Sequence, residues 1–512
     1  MKTFAAIDVG SYELSMKIFE FSGKNNMREI DHIRHRIDLG TETYAAGKLS
    51  YEKVDELCRV LKEYTEIMKA YKVDAYKAYG TSAIREMENT AIVLGQIEQR
   101  TGVRIDVLSN SEQRFLDYKS IASKGENFNK IIEKGTVIVD IGGGSIQVSL
   151  FDNDTLVSTQ NLRIGVLRLQ ERLSRMQAAP YQLENLVDEM VSVQLSVFKK
   201  LYLKDRNIEN IIVVDDYLCR WAASQGRGTD KEGYVSRQEY EEFMNRVREM
   251  SRSECARVLN ISEEAASLLF ISAALMNRVL EMMDARLIWA PGVTLCDGIA
   301  YEYAEQQKRV ICGHDFEKDI LACARTISKR YMGSKRRAET LENLSMSIFD
   351  SLKKIHGLGK RERLYLQIAA ILHDCGKYMS LVNLGECSYN IIMSTEMIGL
   401  SHAERELVAD VVKFNHDEFV YYEELSRRTV MDKDSYLILA KLTAILRIAD
   451  GLDLSHKQKF KNVKIALKDR ELVFSVGTPE DITLEKGLFA ERARFFEEVY
   501  NLRPVIRHRK LY

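Results

Sequence analysis

With 512 residues the chain is too long for a single hydrophobic core, and about three or four domains are expected. Lysine plus arginine (74) nearly balances aspartate plus glutamate (75), which excludes whole-molecule attraction to nucleic acid or an anionic membrane and makes any anion site local. The eight cysteines form no CxxC pair, the four prolines leave no disordered linker, and no apolar run has membrane-spanning length, so a compact, helix-rich cytoplasmic protein with reduced thiols is expected.

In chain order, β-branched and alternating residues predict strands over Phe4 to Val9 and Leu14 to Phe21, with the turn AIDVGS at Ala6 to Ser11 between them. An aspartate at a strand end followed by glycine lets phosphate oxygens reach bare amides, while the carboxylate holds a cation or a water. Apolar spacing at Val54, Leu57, Leu61 and Met68 predicts a helix from about Ser50 to Lys69. Further strands are expected at Val73 to Tyr79, ending in GTSAIRE, and from Arg104 to Leu108, stopping at SNSEQR. Alternating strands and helices imply an α/β domain with a mixed sheet.

The pattern restarts at Thr136. IVDIGGGS at Ile138 to Ser145 leads into a strand at Gln147 to Phe151, followed by a helical stretch from Pro180 to Leu203 and strands at Ile211 to Val214 and Arg286 to Ala290. The two aspartate-glycine loops read as an internal repeat, a duplicated unit with a phosphate site in the crevice between the copies. Placing Asp8 on Asp140, with two extra glycines allowed in the second copy, sets Glu13 opposite Gln147. From about Asp315 to Ser455 helical periodicity takes over. VKIAL, ELVFSV, EKGLFAERARFFEEVY and RPVIRHRK then predict a small terminal αβ unit packed on the helices.

AIDVGS, TSAIRE at Thr81, the SNSEQR turn at Ser109, VDIGGGS at Val139 and PGVTLCDGIAYEYA at Pro291 resemble the exopolyphosphatase and guanosine pentaphosphate phosphatase family. AAILHDCGK at Ala369 and LRIADGLDLSH at Leu446 resemble the HD-type helical domain of its longer members. The resemblance implies an actin-like (Hsp70-like, ribonuclease H-like) duplicated α/β fold with halves at 1–125 and 126–308, an HD-like helical domain at 309–458 and the terminal unit at 459–512. It also implies hydrolysis of inorganic polyphosphate or guanosine pentaphosphate with Mg2+, and a homodimer. Phosphate contacts fall to Asp8, Gly10, Ser11, Gly142, Gly143, Gly144 and Ser145, with Asp140 on the metal and Arg85 facing the phosphates. The other readings are a tight glycine hairpin for the second loop and an ion pair with Glu86 or Glu88 for Arg85. The asparagine expected after Ser11 is Tyr12, whose bulk reshapes the pocket.

Two departures concern catalysis. The glutamates that the family uses match Gln113 and Gln147, and glutamine keeps the shape but takes no proton from water. A one-residue shift brings Glu112 to the first position, and Glu13 is a candidate for a carboxylate moved across the cleft. After Val214 the family's glycine-rich turn is replaced by DDYLCRWAA, where Asp215 and Asp216 repel phosphate unless a cation intervenes. In the HD-like segment His373, Asp374 and Asp450 stand in place, whereas the upstream histidine position falls near Arg337. A structural role is therefore expected there. Basic clusters at Arg325, Lys329, Arg330, Lys335, Arg336 and Arg337, and at Arg503, Arg507, Arg509 and Lys510, are either polyphosphate-guiding surface or solvated helix faces. Three functions follow: a slow phosphoanhydride hydrolase, a catalytically degenerate polyphosphate or nucleotide-binding regulator, and an actin-like nucleotide-binding protein that shares only the fold.

Overall fold

The computed structural model describes residues 2–177, 182–204, 206–214, 233–259, 261, 263–311 and 313–509. Asp215, Asp216 and the rest of DDYLCRWAA, the expected helix start at Pro180, and Lys510 lie outside the described residues. The chain forms two compact units, Met1–Asp315 and Phe316–Tyr512.

The first unit holds two mixed sheets. Strands β1 (Lys2–Val9), β2 (Glu13–Phe21), β3 (Met27–Arg36), β4 (Ala75–Gly80) and β5 (Ile105–Val107) order as β3-β2-β1-β4-β5. Strands β6 (Thr136–Ile141), β7 (Ile146–Phe151), β8 (Leu156–Leu162), β9 (Asn210–Val214), β10 (Tyr234–Ser236) and β11 (Leu287–Trp289) order as β10-β11-β9-β6-β7-β8. Each sheet is an antiparallel three-strand meander extended by parallel strands from its first member, so the order β3-β2-β1-β4-β5 recurs as β8-β7-β6-β9-β11. The duplication expected from the loops is therefore present in the topology.

Ladder register corrects how the copies align. Asp8 pairs with Ser15 across β1 and β2, and Asp140 pairs with Gln147 across β6 and β7. The Gly10 amide donates to the Glu13 carbonyl at 3.1 Å, and the Gly142 amide donates to the Ser145 carbonyl at 3.0 Å. Both turns thus have the same length, without two inserted glycines. Glu13 is the counterpart of Ser145, and Gln147 the counterpart of Ser15. The shared first glycine misled the alignment, because backbone hydrogen bonds set strand register while a run of glycines does not.

The first sheet is covered on both faces. The helix Tyr51–Ala70, capped by the Ser50 hydroxyl, buries Val54, Leu57, Leu61 and Met68 as its spacing predicts, against Ile7, Val9, Leu14 and Met16. On the other face Phe4, Ala6, Phe19 and Phe21 meet Leu295, Cys296, Ile299 and Ala300 of the helix Leu295–Gln306. Each large apolar side chain so withdrawn from water contributes about 1.5–3 kcal/mol. That helix follows every strand of the second sheet yet packs on the first, anchored by Lys17, whose buried ammonium pairs with Asp297 and Glu29 at 2.8 Å each. Gly298 lets it close on the helix Asn110–Ala122, since a Cβ there would lie 2.0 Å from the Leu116 carbonyl oxygen.

The second unit opens with the helices Phe316–Arg330, Lys335–Ser351, Lys360–Leu372, Leu384–Ser394, His402–His416 and Lys433–Gly451. The terminal segment forms β12 (Lys464–Lys468), β13 (Glu471–Gly477) and β14 (Arg503–Arg509), in the order β12-β13-β14, plus the helix Thr483–Tyr500. Tyr500 donates its hydroxyl to the Lys441 carbonyl at 3.0 Å, so this αβ piece packs on the helices within one compact unit. Among the described residues no helix is long and apolar enough to cross a membrane, and the six described cysteines are free thiols.

Candidate functional site

The turns after β1 and β6 open onto one cleft of about 270 Å³. Asp8, Gly10, Ser11, Tyr12 and Glu13 line it from the first turn, and Asp140, Gly142, Gly143, Gly144, Ser145 and Gln147 from the second. The helix Asn110–Ala122 adds Gln113 and Asp117. Nearly the whole set read from the sequence meets in space, because each loop leaves its sheet at the same edge of a duplicated topology.

Two predicted residues stay outside the cleft lining. Glu112 closes a capping box: its carboxylate accepts the Ser109 amide at 2.9 Å, and the Ser109 hydroxyl accepts the Glu112 amide at 3.2 Å. The S-x-x-E spacing of Ser109 to Glu112 carries that signal in the sequence and removes the one-residue shift. Arg85 donates to the Leu108 carbonyl at 2.6 Å and to Gln113 Oε1 at 3.4 Å, so it steadies Gln113 from behind the cleft wall. Glu86 and Glu88, its alternative partners, pair instead with Arg168 at 2.7 Å and Lys48 at 3.6 Å.

The site's electrostatics are those of buried acids set close to one another. Burial first, then the neighbouring Glu13 and Asp140 charges, push the Asp8 carboxyl up to about 7. Burial and the charges of Asp140 and Asp8 raise Asp117 well above the carboxylate range, against the opposing charge of Arg114. Asp8 Oδ1, Asp117 Oδ2 and Gln147 Oε1 are shielded from solvent and have no hydrogen-bond partner. Gln147 is only 2% exposed. A buried polar atom without a partner costs about 1–3 kcal/mol, so three in one cleft mark a place built for something polar. Among the described residues no three acidic, histidine or cysteine side chains form a direct metal cage. Asp117 escaped the sequence reading, although its place four residues beyond Gln113 puts it on the same helix face.

The glycine run has a packing reason. A Cβ on Gly144 would sit 2.2 Å from Ser82 Oγ and 2.4 Å from the Tyr44 hydroxyl, and one on Gly143 would sit 3.1 Å from Ser11 Cβ. Gly143 and Gly144 therefore let the second loop approach the first half. A hydroxyl chain lines that approach, with Ser11 Oγ 2.8 Å from Tyr44 OH and Tyr44 donating to Ser82 Oγ at 3.0 Å. Arg168 stacks on Tyr44 and donates to the Gly144 carbonyl at 3.0 Å. Tyr12 forms cleft wall, with the Arg36 guanidinium 4.7 Å above its ring. Glu13 pairs with Arg34 at 3.6 Å.

In the second unit His373, Asp374 and Asp450 converge, with Arg337 among them. Arg337, 6% exposed, donates to Asp450 at 2.5 Å and to the Asp453 carbonyl at 2.6 Å, and Arg492 holds Asp450's other oxygen at 3.2 Å. Burial opposes the Asp450 charge, but Arg337 and Arg492 outweigh it and hold the carboxyl below its usual range. His373 gives its Nδ1 to the Ala370 carbonyl at 2.9 Å, and burial pushes the ring down to about 4. A guanidinium thus balances Asp450 from within the chain. Of the basic clusters, Arg325 pairs with Glu342 at 2.8 Å, Arg336 bonds Gln458 at 2.9 Å and Arg507 pairs with Glu471 at 3.2 Å.

Twin sheets with matching turns opposed across one cleft define an actin-like α/β protein, here followed by a helical unit. Its sequence matches the model of the Ppx/GppA phosphatase family over residues 18–307 and that of the family's domain III over 322–491, and the chain belongs to this family. A guanosine-5'-triphosphate,3'-diphosphate pyrophosphatase of Photobacterium profundum is 19% identical, with 86% of each chain covered. Exopolyphosphatase 1 of Mycobacterium tuberculosis is 24% identical over 32% of this chain and 46% of its own. An exopolyphosphatase structure from Cytophaga hutchinsonii, 17% identical, covers 60% of this chain and 98% of its own with a TM-score of 0.51, which supports the fold.

Proposed function

We propose that the first unit's cleft binds the terminal phosphates of a linear phosphoanhydride and slowly hydrolyses the last, releasing orthophosphate. The relatives' names make inorganic polyphosphate and guanosine pentaphosphate the candidate substrates. The observation that carries this reading is the opposed pair of aspartate-glycine turns around buried oxygens that lack protein partners. The Gly10 and Gly142 amides are spent in closing their turns, so the amides of Ser11, Tyr12, Gly143 and Gly144 are the ones proposed to meet phosphate.

Magnesium fits the donor set. Such an ion would keep most of its waters and need only one or two carboxylates, and the acids lining the cleft, Asp140 and Asp8 among them, can offer these. When bound it neutralises charge shared between those acids and the substrate phosphates. Gln113, steadied by Arg85, and Gln147 orient the attacking water without accepting its proton. Glu13, which lines the same cleft and pairs with Arg34, is the proposed acceptor.

Neutral amides at both glutamate positions favour a second reading, a binding protein without turnover. Orthophosphate release from long-chain polyphosphate, run beside a binding assay, decides between them. Slow release that Gln113→Glu with Gln147→Glu raises by about 10²- to 10⁴-fold supports the hydrolase. Binding with no release supports the second reading, and release at ordinary hydrolase rates defeats the idea of a slow enzyme. Glu13→Gln with an unchanged rate removes Glu13 from the mechanism.

A further inference from the structure

We infer that Asp117 is a protein ligand of the divalent cation in this cleft, supplying the negative charge that Gln113 and Gln147 lack. The inference rests on the phosphate-site reading above. Asp117 belongs to none of the matched motif positions. It lies four residues beyond Gln113 on the helix Asn110–Ala122, so both side chains project from one face into the cleft. Asp117 is 4% exposed, lies close enough to Asp140 to feel its charge, and leaves Oδ2 without a hydrogen-bond partner.

An independent feature points to the same spot. Gln147 stands directly across the ladder from Asp140, is 2% exposed, and leaves Oε1 unpartnered in the same cleft. Two carboxyls and an amide oxygen from a helix and two strands therefore converge on an opening that also faces the glycine loops. A divalent ion here would take both carboxylates, with water and substrate oxygens completing its shell.

The test is Mn2+ titration of the full-length chain, read by electron paramagnetic resonance of the free ion, with thermal melting in the absence of cation. Asp117→Asn is expected to weaken Mn2+ binding about tenfold or more, as is Asp140→Asn. It should also raise the cation-free melting temperature, because one of two crowded acids is removed without a change of shape. Gln147→Glu should restore part of the affinity in the Asp117→Asn background. Unchanged Mn2+ affinity in Asp117→Asn overturns the inference, as does a lower cation-free melting temperature with unchanged affinity, the result for a purely structural hydrogen bond. Asp117→Ser replaces the asparagine variant if that one fails to fold. A chain that binds polyphosphate in EDTA but never Mn2+ overturns the inference and leaves the phosphate reading standing. Mn2+ binding through Asp117 without polyphosphate binding or turnover does the reverse.

Discussion

The two units each bury a cluster of acids, and they settle the charge in opposite ways. In the first, Asp8, Asp117 and Asp140 face one another and a cleft, with two carboxylate oxygens unpartnered. In the second, Arg337 and Arg492 grip Asp450, and Arg337 also reaches Asp453 at 3.1 Å. The same residue types leave carboxylate oxygens facing a cleft in one place and pair them with guanidinium groups in the other. A buried charge must be matched by something, and whether the match lies within the chain separates a binding site from a structural cluster.

Arg337→Ala would put the second cluster in the state of the first. Leaving Asp450 and Asp453 buried beside one remaining guanidinium should cost about 3–5 kcal/mol, read by guanidinium chloride denaturation, and Arg337→Lys should recover part of it. If Arg337→Ala is neutral, the cluster is not held by its arginine and the contrast fails.

Asp8 tests the other side. Its folded carboxyl titrates at about 7, above an ordinary value near 3.8, so the protonated form stabilises the fold. That contribution is complete below about pH 4 and is lost as pH rises through about 7. The cation-free protein should therefore lose on the order of 2–4 kcal/mol across that window relative to Asp8→Asn, measured by denaturation at several pH values. Saturating Mg2+ should flatten the difference, since a bound cation favours the carboxylate.

Two smaller changes sharpen the account of the loops. Gly144→Ala drives a methyl into Ser82 and Tyr44 and should cost about 1–3 kcal/mol in thermal denaturation, while Ala at the open Gly95 should not destabilise. Tyr44→Phe removes the hydroxyl between Ser11 and Ser82 and should cost about 0.5–1.5 kcal/mol by the same measurement. Equal effects for Gly144→Ala and Gly95→Ala would mean that the glycines do not serve the approach of the two halves.

Much of this was legible before folding. Helical spacing located the Tyr51–Ala70 helix to within a residue or so, and alternation located β1, β2 and the terminal strands. β3 gave no such signal: Met27–Arg36 is a largely exposed edge strand rich in charge, so its pattern carries no alternation to read. Glu112 differs for another reason: a carboxylate beside a motif position is open in the sequence and becomes engaged only when its helix cap forms. Asp117 carries no motif signal, and only the folded first unit brings it beside Asp140 in the cleft.

By itself the sequence determined the duplicated α/β order, the helical second unit, the two aspartate-glycine turns and the glutamines at 113 and 147, since periodicity, turn chemistry and residue identity are local properties of the chain. Only the tertiary structure decided that Glu13 answers to Ser145, that Gly143 and Gly144 make room for the first half, that Arg337 balances Asp450, and that Asp117 joins Asp140. Each of these depends on backbone register or on side chains far apart in sequence, and such contacts exist only once hydrogen-bonded ladders and packed helices have set the distances.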